Sequence, residues 1–175
     1  MKNGFFKEMA YPFIVLVVIA LVAAALLGIT NMFTAPVIEE NARIEAENTR
    51  KAVLPEATSF VEVAVEEGMN VDSIYKDEGG SGYVITSGSK GYGGNVVVTI
   101  GFSNEGEIVG ISADASTETQ GVGSKTGQQA HLDKFLGRTE APGDDSSVLI
   151  ASATLSSRAF RTAVNNAYAA LAMIQ

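Results

Sequence analysis

Ser152-Ala153-Thr154-Leu155-Ser156-Ser157-Arg158 gathers small and hydroxyl residues just where an apolar periodicity begins. Phe160, Ala163, Val164, Ala167 and Leu171 follow at the spacing of a helix with one buried face, so the hydroxyls fall at a helix start. The first turn of a helix leaves backbone N–H groups without intrahelical partners and carries the positive end of the macrodipole. A phosphate settles readily at such a junction, and here a threonine hydroxyl stands beside it. The same residue types also cap helices for structural reasons alone, because their oxygens accept hydrogen bonds from the free N–H groups.

A second constellation runs from Gly91-Tyr92-Gly93-Gly94 through the apolar stretch Val96 to Phe102 and on to Thr117-Glu118-Thr119-Gln120-Gly121-Val122-Gly123-Ser124-Lys125. Gly121 and Gly123 let a backbone approach a flat ring, while the hydroxyls and amides of Glu118, Thr119 and their neighbours hydrogen-bond its polar edge. A solvated, glycine-rich surface loop with an exposed lysine is the plain alternative. Gly121 to Thr126 is not a Walker phosphate loop, since it lacks Gly-Lys-Ser/Thr at the required spacing.

Other chemistries have little to work with. The chain has no cysteine and one histidine, which excludes disulfides, thiolate zinc sites, iron–sulfur clusters held by this chain alone and metal binding by histidines. His131 lies in an expected short helix, where packing is the simpler role. The pairs Glu39-Glu40, Glu66-Glu67 and Asp144-Asp145 read as solvated charge. No catalytic residue is therefore assigned, and any redox centre must be an organic cofactor.

The elements that position these residues are legible in outline. From Phe13 to Ile29 the chain is uninterruptedly apolar, and milder residues through Ala35 make it long enough to cross a bilayer of about 30 Å. Lys2 and Lys7 precede this span and Glu39 and Glu40 follow it, which keeps the N-terminus in the cytoplasm and exports the rest. Pro36 directly after Thr34-Ala35 argues for a retained anchor over a cleaved signal peptide. Residues 1–36 are thus the cytoplasmic N-terminus and transmembrane anchor, 37–55 a juxtamembrane helix stopped by Pro55, and 56–175 one extracytoplasmic domain.

Strands are expected at Ser59 to Val65, Gly82 to Ser87, Val96 to Ser103 and Ile108 to Ala113, with Gly88 to Gly94 a flexible turn and Asn104 to Glu107 a hairpin loop. A short helix over Gln128 to Phe135 and the final helix complete the domain. The fold class is α+β: one transmembrane helix, then a twisted, largely antiparallel sheet covered by helices. The chain holds 12 Lys+Arg against 20 Asp+Glu, and only Lys2, Lys7 and Glu8 precede Pro36, so the exported part is acidic. That balance disfavours nucleic acid and anionic lipid and favours protein partners.

The two constellations together resemble the FMN-binding domain of the G subunit of Rnf electron-transport complexes, and of the related C subunit of the sodium-pumping NADH:quinone reductase. Ala-Thr-Leu-Ser-Ser-Arg-Ala-Phe is similar to that family's flavinylation segment, whose pattern is Asp-x-x-Ser/Thr-Gly-Ala-Thr. Val148, Ala151 and Ser152 depart from it, and Ser152 matters if the backbone there needs a positive φ. Glu118-Thr119-Gln120-Gly121-Val122-Gly123-Ser124-Lys125 resembles the family's Glu-Thr-Pro-Gly-Leu-Gly-x-Lys.

The resemblance implies FMN bound covalently through a phosphoester on Thr154. Ala153, Leu155, Ser156, Ser157, Glu118, Thr119, Gly121, Gly123 and Lys125 would surround the cofactor, with Lys125 favouring a negatively charged, reduced flavin. It further implies an electron-relay subunit of a membrane-bound, ion-translocating ferredoxin:NAD oxidoreductase. The chain would have no independent catalysis, and its partners would be the other membrane and iron–sulfur subunits and, during maturation, a flavin transferase. Two alternatives stay open: a C-type subunit or another anchored extracytoplasmic flavoprotein, and a non-redox, membrane-tethered protein-binding domain.

Overall fold

The computed structural model describes the backbone of residues 2–175 and side chains from residue 10 onward. Lys2 and Lys7, on which the expected orientation rests, lie outside the residues whose side chains are described. The chain divides into two compact units, residues 1–46 and 47–175.

From Lys2 onward the first unit is helical, part of α1 (Lys2–Val53), and α1 runs through both segments that the sequence separates at Pro36. Proline inside a helix removes one backbone donor. Nearby, the Thr30 and Thr34 hydroxyls donate to the carbonyls of Leu26 and Thr30, adding side-chain bonds to the same ladder. Large apolar side chains from Phe13 to Phe33 are exposed around the helix, and the segment is long and apolar enough to cross a membrane. A helix apolar on all sides satisfies its own backbone and belongs in lipid. Beyond it the sequence turns polar, and Arg43–Glu40 and Lys51–Glu47 pair along the surface.

The second unit is built on one sheet of β1 (Phe60–Val63), β2 (Ser73–Asp77), β3 (Gly82–Lys90), β4 (Asn95–Ser103) and β5 (Ile108–Asp114). The strands are ordered β1-β2-β3-β4-β5, each antiparallel to the next. Alternation along the strands sends Ile74, Ile85, Val96, Val98, Ile100 and Phe102 to one face. There they meet Phe160, Ala163, Val164, Ala167 and Leu171 of α3 (Thr154–Ile174) in a single core. Burying each large apolar side chain contributes roughly 1.5–3 kcal/mol, so this face holds the domain together. On the other face Val84 packs with Val53 and Leu54, at and just past the end of α1, and with Phe60 and Tyr75.

The α+β class, the β4–β5 hairpin and the apolar face of α3 match expectation. β2 was not expected: in Ser73-Ile74-Tyr75-Lys76-Asp77 only Ile74 and Asp77 are buried, so its hydrophobic signal is a single residue. Strand β3 continues to Lys90, two residues past Gly88, because a regular β4 pairs with it along its whole length. The expected helix at Gln128 to Phe135 is shorter, α2 (Gln129–Leu132), and a 3-10 helix (Gly123–Gly127) precedes it in what reads as loop.

Candidate functional site

A cleft of about 390 Å³ opens where the turn after β3, the loop after β5 and the start of α3 converge. It is lined by Tyr92, Thr119, Val122, Gly123 and the run Ser152 to Ser156. Small-molecule sites span about 300–1,000 Å³, so the cleft can take a compact ring system.

At the start of α3, which lines the cleft, no side chain caps the helix. The first backbone bond of the helix is donated by the Ser157 N–H to the Ala153 carbonyl, 2.9 Å, which leaves the N–H groups of Thr154, Leu155 and Ser156 as the orphans of the first turn. The capping role open to these hydroxyls is thus not the one they take. Ser157 Oγ donates to the Ala153 carbonyl and accepts from the Ile150 N–H, 2.8 and 3.2 Å, and is buried. Ser156, also buried, donates its hydroxyl to Glu118 Oε2. Thr154 and Leu155 are exposed.

Ahead of the helix, Ser152 has φ +73°, the one positive value outside glycine among the described residues. This is the position at which the resembled pattern has glycine. Val148, which stands at that pattern's aspartate, is 1% exposed and belongs to the apolar core.

Glu118 joins the walls. It is 5% exposed; Oε1 accepts from the N–H groups of Gly93 and Gly94, 3.0 and 3.2 Å, while Oε2 accepts from Ser156. Burial raises its pKa, but the bonds from Ser156, Gly94, Gly93 and Tyr92 together outweigh it and the net shift is downward. The glycines around it are required by space: a Cβ at Gly123 would press on Ser156 Oγ and Glu118, and one at Gly91 on Glu118. Gly121 has φ +75° in the turn closed by Val122 N–H and Ser124 N–H donating to the Thr119 carbonyl.

Of the residues singled out in the sequence, Thr119, Gly123, Ala153, Thr154, Leu155 and Ser156 line the cleft together. Glu118 and Ser157 stand behind its wall with their oxygens held by protein groups, and Gly121 and the exposed Lys125 lie beyond the lining. Tyr92 and Val122 are lining residues that sequence reasoning passed over; Tyr92 is 73% exposed, and its place between glycines was the available signal.

A model of the FMN-binding domain matches residues 91–169, and a model of the RnfG N-terminal region matches residues 1–53. The G subunit of the Na(+)-translocating ferredoxin:NAD(+) oxidoreductase complex of Acetobacterium woodii is 30% identical, across 87% of this chain and 86% of that protein. The G subunit of the ion-translocating oxidoreductase complex of Shewanella baltica is 25% identical, across 95% of this chain and 86% of its own length. The first family match covers the turn after β3, the loop after β5 and the start of α3 that build the cleft, and the second covers the apolar helix. The chain belongs to the family of G subunits of Rnf ion-translocating oxidoreductase complexes, with an FMN-binding domain following a membrane helix.

Proposed function

We propose that this chain is an electron-relay subunit of a ferredoxin:NAD oxidoreductase complex that moves ions across the membrane, and that Thr154 Oγ1 carries FMN as a phosphoester. One observation carries the reading. Of the three hydroxyls on the first turn of α3, those of Ser156 and Ser157 are buried and bonded to protein groups, whereas Thr154 is exposed and lines the cleft.

The cleft fits the cofactor in size and chemistry. Bound FMN supplies one- and two-electron transfer. The orphan N–H groups of Thr154, Leu155 and Ser156 and the helix dipole favour a phosphate at the threonine, the dipole by about 0.3–1 kcal/mol. Tyr92, Val122 and Leu155 offer apolar surface that excludes water from a ring, and the Thr119 hydroxyl and Gly123 backbone offer groups for its polar edge. Lys125, beyond the lining, adds positive charge that favours a reduced, anionic ring.

The anchor keeps the N-terminus in the cytoplasm in this reading and places residues 56–175 outside, against the membrane subunits of the complex. In this reading the chain exchanges electrons with centres of partner subunits; having no cysteine, it holds no iron–sulfur cluster itself. It performs no acid–base chemistry of its own, and a flavin transferase installs the cofactor.

Intact mass tests the attachment. The full chain, made in cells that contain the transferase, is expected to gain the mass of FMN less one water, and Thr154→Ala to gain nothing. An unmodified wild-type chain from such cells overturns the reading.

A further inference from the structure

We infer that Glu118 is the positioning residue of the cleft: its carboxylate ties the Gly93–Gly94 turn to the first turn of α3, and so sets the gap that receives the ring. The inference rests on the reading of the cleft as the FMN site and assigns Glu118 a different task from contact with the cofactor.

Both carboxylate oxygens are engaged by the protein. Oε1 takes two backbone N–H groups from one wall and Oε2 takes the Ser156 hydroxyl from the other. Tyr92 immediately precedes the glycines so held, and Thr154 lies two residues before Ser156. One side chain therefore spans from the turn bearing the exposed aromatic to the turn bearing the attachment hydroxyl. Gly91 and Gly123 keep Cβ-free space around it, and Gly93 and Gly94 pack on Thr117 and the Glu118 backbone, so the turn has one close-packed seat. Separating a buried carboxylate from one of its partners is strongly unfavourable, which makes the junction stiff.

Glutamine in its place keeps an acceptor for the glycine N–H groups and an amide that reaches Ser156; alanine keeps neither. The test uses the full chain co-produced with flavin transferase and follows two quantities. One is the rate of flavin incorporation, read by intact mass and by fluorescence of the denatured polypeptide. The other is amide exchange at Gly93 and Gly94, read in the Thr154→Ala background so that it stays measurable with no flavin attached.

Glu118→Ala is expected to speed exchange at both glycines about tenfold, the equivalent of one lost hydrogen bond, and to slow incorporation about tenfold or more. Amides of Val98 and Ile100 should keep their protection. Glu118→Gln is expected to restore both quantities to within about twofold of wild type. Gly123→Ala, which spreads the same junction with the carboxylate intact, should reproduce the alanine effects even where Glu118→Ala fails to fold. Unchanged exchange in Glu118→Ala, or faster exchange with incorporation at the wild-type rate, overturns the inference. Absence of flavin from the wild-type chain overturns the phosphoester reading instead and leaves the exchange result standing.

Discussion

The carbonyl oxygen of Val53, the last residue of α1, rests on Gly101 of β4 so closely that a Cβ there would collide with it. Gly110, paired with Gly101 across β4 and β5, meets the same carbonyl. Two glycines thus form a flat seat on the sheet for the end of the helix. Overpacking a close contact costs about 1–3 kcal/mol. Gly101→Ala and Gly110→Ala are therefore each expected to lower the thermal midpoint of the domain, with Gly121→Ser, at an open exposed position, as the strained but uncrowded comparison. Equal midpoints for wild type and Gly101→Ala would sink this account of the seat.

Ser152 holds a left-handed backbone conformation that costs a residue with a Cβ roughly 1–2 kcal/mol, against about 0.5–1 kcal/mol of extra chain entropy that glycine loses on folding. Its side chain is exposed, so little packing is lost with it. Ser152→Gly should raise stability by about 1 kcal/mol or less, and Ser152→Val, branched at Cβ, should lower it. Denaturant midpoints of the two variants, moving in opposite directions from wild type, are the check.

His131 packs edge-on against Phe135 and Phe160, with both ring nitrogens buried and without a hydrogen-bond partner. Burial, and then the Lys134 charge, push its pKa down to about 4. The unfolded chain takes up a proton near pH 6.5 that the folded chain refuses until about pH 4, so this stability is present above pH 6.5 and drains away between the two. His131→Met removes the unpartnered nitrogens, about 1–3 kcal/mol each when buried, and fills the space with a flexible apolar chain. Melting curves at pH 5 and pH 8 should show the variant ahead of wild type by more at pH 5; a constant difference would exclude titration of this ring as the cause.

Asp77, fully buried at the end of β2, accepts from the N–H groups of Thr58, Ser59 and Ser81 and ties the entry of β1 to the loop before β3. The Ser81 N–H leads the groups that hold its carboxyl far below the ordinary range, over the opposing effect of burial. A lowered carboxylate contributes stability that is present above its unfolded value and is lost as pH falls through that region. Asp77→Ala should lower the thermal midpoint at pH 7 far more than Asp144→Ala, whose exposed carboxylate pairs with Arg161. It should also flatten the acid limb of a stability-against-pH curve; an unchanged acid limb would count against the assignment.

How far the fold could be read from the chain depended on how much of each element's energy is local. The α3 face was legible because Phe160, Ala163, Val164, Ala167 and Leu171 carry a full helical period, and all of them are buried. β2 was not, because its place comes from cross-strand bonds to β1 and β3 and from the seat of Ile74, none of which a short polar stretch announces. The apolar membrane helix stood out for the opposite reason, since lipid selects on composition over a long run and needs no contact map.

At the cleft the division is similar. Residue order marked a helix start and Gly-rich turns, which are local chemistry written in adjacent residues, and the family resemblance singled out Thr154 and Glu118 among them. Which hydroxyl faces outward was decided only in three dimensions: Ser156 turns to Glu118, 38 residues earlier in the chain, and Ser157 to the Ile150 and Ala153 backbone, leaving Thr154 exposed. A side chain's direction on a helix follows from what packs against that helix: the partner of Ser156 comes from the loop after β5, and those of Ser157 from the residues just before α3. The sequence by itself determined the membrane helix, the fold class and the helix start; the tertiary structure decided which of these hydroxyls are buried, because Ser156 is held by Glu118, which only the folded chain brings within reach.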